Sequence, residues 1–338
     1  MNNERVAIIG AGSWGTALAL LLAEKGIDTS LWGHRSEHVM ALKEERENRT
    51  YLPGFLFPPA LRPTESINEA VSGACVICLV VPSHGYRQVF TQIKEVSPKG
   101  AIFVSATKGI ENKSLKTMTQ VMGECLEEDG SSPAPLGVLS GPSFAKEVAG
   151  KVPTAITIGC KDSDTAHFLQ GLFSSDYFRV YTSTDIVGLE ISAALKNIIA
   201  IAAGICDGLA FGSNARAALI TRGLAEMTRL GVMLGARQET FFGLSGLGDL
   251  VLTCTGDLSR NRYVGIELGK GKSLDAILGS MNMVAEGIKT TRSVYDLANK
   301  LGADMPILDQ VYEVLYRGKD CTTAVKDLLS RDLKAENG

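Results

Sequence analysis

Short apolar, β-branched runs alternate with amphipathic stretches through the first half of the chain. The runs predict strands at residues 5–9, 29–33, 76–81, 102–106 and 137–139. The stretches between them predict helices at 36–47, 86–96 and 115–127. Because strands that are separated by helices indicate βαβ units with right-handed crossovers, the pattern predicts an α/β region built on a doubly wound parallel sheet.

The pattern changes in the second half of the chain. Two more apolar runs, at 154–159 and 178–181, flank a predicted helix at 165–173 and could extend the sheet. After Asp185, apolar residues recur at three- and four-residue spacing and alanine is abundant, which is typical of helices. We therefore expect two domains, residues 1–187 and an all-α C-terminal domain at 188–338, packed together because no Pro/Gly-rich linker separates them.

The opening apolar run, residues 6–23, raises the question of a membrane anchor. Gly10, Gly12, Ser13 and Gly15 interrupt this run, whereas a spanning helix needs about 20 predominantly apolar residues. The residues before the run also lack the basic segment of a signal peptide. We expect neither a membrane span nor a signal peptide.

Residues 10–15, GAGSWG, form a complete G-x-G-x-x-G directly after a predicted strand and at the start of a helix. In that position Gly10 permits the tight turn, Gly12 lets the backbone approach a pyrophosphate, and Gly15 lets helix and strand pack closely. The helix N-terminus adds N–H donors and partial positive charge for the phosphates. The motif predicts a Rossmann-type fold, with residues 1–187 as a dinucleotide-binding domain.

The end of the second strand bears on which dinucleotide binds. An NAD site usually has an acidic residue there, but the segment SLWGHR has no carboxylate before Glu37. Arg35 could instead bind a ribose 2′-phosphate through its guanidinium, so we expect NADP(H) to be at least accepted. Alternatively, Arg35 is an ordinary surface arginine and Glu37 binds the ribose of NAD(H); the sequence leaves both interpretations open.

Charge and cysteine content narrow the function classes. The net charge of −3 lacks the basic excess that a nucleic-acid-binding protein needs. Seven scattered cysteines, an odd number, argue against a disulfide framework and favour a reducing, cytoplasmic compartment. Cys75 and Cys78 form a C-x-x-C inside an apolar strand, without a second pair or a histidine pair, so we predict no metal site.

Two lysines are candidates for binding and chemistry. Lys108 follows the fourth predicted strand, where ligands of open α/β sheets bind, and could hold an anionic substrate; a solvated loop lysine is the alternative. Lys196 lies in a strongly apolar helix, where a lowered pKa would let it act as a general acid or base. The alternative is that Lys196 merely extends to the surface.

A glycine-punctuated loop at 243–263 holds Asp249, Thr253, Arg260 and Asn261. Arginine, asparagine and a threonine hydroxyl together could form a small phosphate clamp. A helix cap and turn would use similar residues, so both interpretations stay open here.

These motifs resemble those of the bacterial-type NAD(P)-dependent glycerol-3-phosphate dehydrogenases. The resemblance covers nearly the whole chain and rests on segments in the same order: GAGSWGTALA, YLPG, SATKG, LSGPSFAKE, EISAALKNIIAIAAG, ARAALITRG, GLGDLVLTC, SRNR and VAEG. It implies reversible reduction of dihydroxyacetone phosphate to sn-glycerol 3-phosphate with NADP(H) or NAD(H), which supplies phospholipid synthesis. The helical half would be the substrate domain, and we expect a homodimer.

The resemblance also implies a role for each matching residue. Lys196 would be the catalytic proton donor and acceptor, supported by Asn197 and Asp249. The residues expected to bind substrate are Lys108, Gly141, Ser143, Lys196, Asn197, Asp249, Thr253, Ser259, Arg260 and Asn261. The residues expected to bind the dinucleotide are Gly10, Gly12, Ser13, Trp14, Gly15, His34, Arg35, Lys108, Ala145, Arg260, Val284 and Glu286.

Two other functions stay open on the sequence. A dehydrogenase of the same plan that acts on a hydroxy acid or an acyl thioester could use a histidine or cysteine in place of Lys196, but the four histidines all precede the helical half. A non-catalytic redox sensor that binds NADP(H) would need the glycine motif and Arg35, but has no use for Lys196, Asp249 and Arg260 together.

Overall fold

The computed structural model of the chain describes residues 4–127, 134–281, 285–333 and 335–336. Its strands are β1 Arg5–Ile9, β2 Asp28–Trp32, β3 Glu47–Asn48, β4 Leu52–Leu56, β5 Leu61–Thr64, β6 Val76–Leu79, β7 Ile102–Ser105, β8 Leu136–Ser140, β9 Thr154–Cys160 and β10 Phe178–Ser183. Eight of them form one sheet in the order β10-β9-β8-β7-β6-β1-β2-β5, and β3 and β4 form a separate hairpin.

The predicted doubly wound parallel sheet is confirmed, except that one pair of neighbouring strands is antiparallel. Neighbouring strands run parallel throughout the large sheet except β8 and β9. The connection between those two strands holds only the five-residue helix Ala145–Ala149. Strand β9 therefore begins at the edge where β8 ends and runs back beside it.

Helices cover both faces of the sheet. They are α1 Ser13–Glu24, α2 Ser36–Glu45, α3 Ile67–Val71, α4 Tyr86–Val96, α5 Met118–Glu127, α6 Ala145–Ala149 and α7 Ser163–Phe173. Apolar residues of α1 and α7 pack on one face, and those of α3, α4 and α5 pack on the other. Because β6 returns to lie beside β1, the order of the strands reverses there, and the glycine motif lies at the C-terminal edge of the sheet at this switch point.

The seven predicted strands are present, with ends that differ by up to two residues. The helix predicted at 115–127 begins later, at Met118, because Leu115 has a φ of 59° that does not fit a right-handed helix. The sequence did not predict the elements between residues 47 and 71, which are β3, β4, β5 and α3. Prolines in that segment obscure the alternation by which strands are recognised.

The rest of the described chain is helical. Its helices are α8 Ile186–Gly208, α9 Gly212–Met233, α10 Gln238–Phe241, α11 Asp249–Thr255, α12 Arg260–Gly269, α13 Leu274–Gly279, α14 Glu286–Leu301, α15 Pro306–Arg317 and α16 Cys321–Leu329, with a π-helical turn at Leu244–Gly248. By length and composition, helix α8 could cross a membrane. However, 94% of its apolar 18-residue stretch is buried inside the fold. Helices α9 to α12, α14 and α15 pack against it.

Helices α8 and α12 touch through their backbones. Gly204 and Gly208 on α8 face Gly265 and Gly269 on α12, and we call these four residues the glycine seam. A Cβ on Gly265 would lie 2.0 Å from the carbonyl oxygen of Ile201, so a larger residue cannot be accommodated without moving a helix. The seam holds α12 directly against the helix that carries Lys196.

Candidate active site

A cleft of about 550 Å³ lies where the C-terminal edge of the sheet meets α8, α11 and α12. The residues predicted for the site that line it are Gly10, Gly12, Ser13, Trp14, Gly15, His34, Arg35, Lys108, Ser143, Ala145, Lys196, Asn197, Asp249, Thr253, Ser259, Arg260, Asn261 and Glu286. Gly141 does not line the cleft, but its carbonyl oxygen accepts a hydrogen bond from Lys108 Nζ at 3.2 Å. Val284 lies outside the described residues.

The glycine motif has the geometry of a phosphate-binding turn. Gly10 has a φ of 128°, and a Cβ there would lie 2.5 Å from the carbonyl oxygen of Val80. A Cβ on Gly15 would lie 1.9 Å from the carbonyl oxygen of Gly10, so helix α1 packs directly on the turn. A Cβ on Gly12 would meet no atom within 4 Å. The turn is therefore closed at Gly10 and Gly15 and open at Gly12, where a pyrophosphate would approach.

The start of α1 is also suited to an anion. Its N-cap is Gly12, which has no side chain to cap the first N–H groups, and its first turn carries no acidic residue. Trp14 Nε1 is buried without a hydrogen-bond partner in the described structure. A positive helix end without a side-chain cap and an unsatisfied indole N–H fit the phosphates and amide groups of a dinucleotide.

Arg35 lines the same cleft, whereas Glu37 does not. The Arg35 guanidinium donates to the Tyr51 hydroxyl and lies 5.9 Å from the centre of the Tyr51 ring. A guanidinium in this place can bind a phosphate, whereas the carboxylate of Glu37, the alternative ligand for the ribose, does not line the cleft.

Lys196 also lines the cleft and is 5% exposed. Its Nζ donates to Asp249 Oδ1 at 2.8 Å and to Thr253 Oγ1 at 2.7 Å. The second oxygen of Asp249 accepts from Lys108 Nζ at 2.7 Å. One buried carboxylate thus holds two ammonium groups, one from each half of the chain.

The charges in this group determine its protonation. Burial lowers the pKa of Lys196 to about 8; Asp249 opposes that shift, and the positive charge of Lys108 adds to it. Burial alone would raise the pKa of Asp249, but the charges of Lys108 and Lys196 outweigh it and hold this pKa below its usual value. Lys196 is therefore protonated at neutral pH and can release its proton slightly above it, as a general acid and base requires.

The first turn of α12 supplies a second polar group. Ser259 caps the helix, with its hydroxyl accepting from the Arg262 N–H at 3.2 Å. Asn261 Nδ2 donates to Asn197 Oδ1 at 2.9 Å, and Asn261 Oδ1 accepts from the Gly287 N–H at 3.0 Å. These bonds tie α8, α12 and the start of α14 together around donors that face the cleft.

Glu286 joins the two halves of the site at the start of α14. Its carboxylate accepts from the Ser83 hydroxyl, which follows β6, at 3.2 Å. Burial raises the pKa of Glu286, and the nearby charge of Arg260 opposes that shift. Glu286 lines the cleft, and its bond to Ser83 links the two parts of the chain beside it.

Sequence reasoning missed the β3–β4 hairpin as part of the site. Tyr51 lines the cleft and its carbonyl oxygen accepts from Ser13 Oγ at 2.7 Å. The fully buried Asn48 donates to the carbonyl oxygen of Ala11 at 3.1 Å and to Thr16 Oγ1 at 2.8 Å. The segment YLPG, which contributed to the resemblance, was the available signal for this hairpin.

Family models match both parts of the chain. Residues 5–166 match the NAD-dependent glycerol-3-phosphate dehydrogenase N-terminus, and residues 185–326 match the C-terminus of the same family. The chain is 60% identical over 335 residues to glycerol-3-phosphate dehydrogenase [NAD(P)+] of Desulfotalea psychrophila, covering 98% of each chain. It is 54% identical to the protein of that name from Citrifermentans bemidjiense, covering 98% of this chain and 99% of that one.

A solved structure gives the same result for the fold. The crystal structure of glycerol-3-phosphate dehydrogenase from Coxiella burnetii matches with a TM-score of 0.94 and 42% identity, over 97% of this chain and 99% of that chain. The similarity extends across both halves of the molecule, and thus across both sides of the cleft.

Proposed function

The chain belongs to the NAD-dependent glycerol-3-phosphate dehydrogenase family, and on that premise we propose how its cleft performs the reaction. The enzyme uses NAD(P)H to reduce dihydroxyacetone phosphate reversibly to sn-glycerol 3-phosphate, which supplies phospholipid synthesis. The observation that supports this cleft as the site is the bonding of Lys196 and Lys108 to one buried carboxylate, Asp249, in the same cavity as the glycine motif.

We place the dinucleotide along the G-x-G-x-x-G turn, Ser13 and Trp14, with His34 and Arg35 at its adenosine end. When bound, it supplies or accepts the hydride through its nicotinamide ring. The open space at Gly12 and the uncapped start of α1 support a pyrophosphate at the turn. Ala145, Glu286, Lys108 and Arg260 complete this part of the proposed site, and Val284 is included on the family resemblance alone.

Lys196 is the proposed proton donor and acceptor. During reduction its ammonium protonates the oxygen on C2 of the substrate as negative charge develops there, and during oxidation the neutral amine takes the proton back. A pKa of about 8 leaves both forms accessible near neutrality. Asp249 holds the ammonium in place, and Thr253 accepts a second of its N–H bonds.

The substrate phosphate is proposed to bind at the first turn of α12. Ser259, Arg260 and Asn261 lie on that turn, and Asn197 is bonded to Asn261. A phosphate held there would orient the small reacting end of the substrate toward Lys196 with binding energy from a group that does not react. Lys108, Gly141 and Ser143 are proposed to contact the substrate from the opposite side of the cleft.

We further propose that the enzyme works as a cytoplasmic homodimer, without nucleic-acid or membrane partners. All seven cysteines lie in the described part of the chain as free thiols, which supports a reducing compartment. We also propose residues 1–187 as the dinucleotide-binding domain and 188–338 as the substrate domain. The change from β10, which ends at Ser183, to α8, which begins at Ile186, supports a division near this point.

Replacing Lys196 tests the proposed chemistry. Lys196→Met keeps the length of the side chain but cannot carry a proton, so NADPH oxidation by dihydroxyacetone phosphate should fall by about 10²–10⁴-fold. Binding of NADPH, titrated directly through its fluorescence, should change little. Lys300→Met, on an exposed position of α14, is the matched control. A Lys196→Met enzyme with a rate within fivefold of the wild type would mean that another group donates the proton.

A further inference from the structure

Arg262 follows the proposed phosphate-binding residues on α12, but it does not line the cleft. Its Nε and Nη2 both lie 2.8 Å from Oδ2 of Asp207, near the end of α8. Its remaining nitrogen, Nη1, donates to Asp257 Oδ1 at 3.0 Å. The side chains of Arg262 and Asp207 are 14% and 13% exposed, so this ion pair is largely shielded from water.

The backbone of Arg262 is held as firmly as its side chain. Its N–H donates to the Ser259 hydroxyl, closing the first turn of α12. A Cβ on Gly204 would lie 2.1 Å from its carbonyl oxygen, so that oxygen lies directly against α8. Asp207 is itself held from a third helix, because its other oxygen accepts from Arg216 Nη1 at 2.8 Å.

The glycine seam alone does not determine how α12 is rotated against α8. Glycines let two helices approach closely, but they present no side chains that would resist sliding or rotation. A shielded, charge-assisted bond at the first turn adds resistance to that of the hydrogen bond between Asn261 and Asn197. Ser259, Arg260 and Asn261 share this turn, so any rotation would displace all three donors together.

We propose that Arg262 and Asp207 form a latch that positions the first turn of α12 for the phosphate of the substrate. Arg262 is a positioning residue, since it acts through Ser259, Arg260 and Asn261 and touches neither substrate nor dinucleotide. The inference rests on the proposed function, in which the phosphate binds at this turn.

The test compares a phosphorylated with an unphosphorylated substrate. In Arg262→Gln, kcat/KM for dihydroxyacetone phosphate should fall about tenfold or more, while kcat/KM for dihydroxyacetone should stay within threefold. The dissociation constant of NADPH, from direct fluorescence titration, should also stay within threefold. Arg262→Lys, which keeps the charge but not the forked geometry, should recover part of the loss.

Arg216→Gln is the matched control, because Arg216 contacts the same carboxylate from α9 and leaves the bond to α12 intact. The Arg216→Gln variant should change kcat/KM for neither substrate by more than twofold. Asp207→Asn breaks the latch from its other side and should reproduce the selective loss, which provides a second variant if Arg262→Gln folds poorly. The proposal would be overturned if kcat/KM in Arg262→Gln and Asp207→Asn fell equally for both substrates. It would also be overturned if kcat/KM in these variants fell no further than in Arg216→Gln.

Arg260→Gln separates failure of the latch from failure of the proposed function. If Arg260→Gln does not reduce the preference for the phosphorylated substrate, the phosphate is wrongly placed and the latch falls with it. If Arg260→Gln removes that preference and the latch variants keep it, the phosphate site stands and the latch alone is wrong.

Discussion

Asparagine in place of Asp249 should shift the pH at which the reduction loses its proton donor. Reduction needs the ammonium form of Lys196, so kcat/KM for dihydroxyacetone phosphate should be high below the pKa of Lys196 and fall above it. That pKa is about 8 in the wild type. Asp249 stabilises the ammonium, and removing its charge while keeping its shape must therefore move the falling limb of the profile to lower pH.

The size of the shift follows from the geometry. Lys196 Nζ and Asp249 Oδ1 are 2.8 Å apart, and both groups are buried. An opposite charge at such a distance changes a pKa by about 1 to 3 units, so the limb should move from about 8 to between about 5 and 7. With a pKa of about 6, only about a tenth of the lysine would be protonated at pH 7, against about nine-tenths in the wild type.

Lys108→Met should shift the limb in the opposite direction. The positive charge of Lys108 lowers the pKa of Lys196, so removing it should raise the pH at which activity falls. Loss of a substrate contact would change the height of the profile but not the position of its limb. The pair of variants therefore separates charge effects on Lys196 from effects on binding.

The assay is the initial rate of NADPH oxidation at low dihydroxyacetone phosphate, measured from pH 5 to pH 10. The phosphate of the substrate titrates at about pH 6 in every variant, so its effect cancels when the profiles are compared. Oxidation of sn-glycerol 3-phosphate should give the mirror profile, rising through the same pH. The assignment of this pKa to Lys196 would be refuted if the falling limb of the pH profile stayed in place in Asp249→Asn and Lys108→Met. It would also be refuted if the limb moved in the same direction in both variants.

Three further outcomes are expected. Arg35→Asp should lower the ratio of kcat/KM for NADPH to that for NADH by about 10- to 100-fold, the value of a charge-assisted bond, and an unchanged ratio would remove Arg35 from the phosphate site. Gly265→Ala, whose Cβ would lie 2.0 Å from a carbonyl oxygen of α8, should cost about 1–3 kcal/mol in denaturant unfolding, whereas Gly171→Ala, with open space around its Cβ, should not destabilise. Burial raises the pKa of Glu226, which caps α15 at the Ile307 N–H, from 4.5 to about 7. The contribution of the Glu226 carboxyl to stability is thus complete below pH 4.5 and is lost as the pH rises through about 7. In the wild type the free energy of unfolding should therefore fall by roughly 3 kcal/mol over that interval, and Glu226→Gln should remove this pH dependence.

Local features of the chain were the ones that the sequence could predict. The glycine motif is readable because its three glycines, the strand before it and the helix after it all lie within one short segment. The strands around it alternate with helices at regular intervals, which is enough to predict the sheet. Features that depend on distant segments were not predictable in this way. Tyr51 enters the site only because Asn48 and Ser13 hold its hairpin against the glycine turn.

The segment SRNR shows the same limit at the scale of one helical turn. Arg260 lines the cleft and Arg262 turns away from it toward Asp207. Residues two apart on a helix point to nearly opposite sides, so the two arginines face different surroundings. Which of them faces the substrate depends on the rotation of α12 in the fold. The lowered pKa of Lys196 likewise depends on burial that the apolar helix suggests but only packing produces.

The glycine seam fixes the distance between the helix that carries Lys196 and the helix that carries the proposed phosphate site. Helix α8 carries Lys196, and α12 carries the proposed phosphate donors at its start. Where side chains separate two helices, a change of rotamer can alter the distance between them. Here main-chain atoms of α8 contact main-chain atoms of α12, so rotamer changes cannot alter that distance. The seam therefore fixes the separation of the two helices, and together with the proposed latch, which fixes their rotation, it would set the span from the proton donor to the phosphate of the substrate.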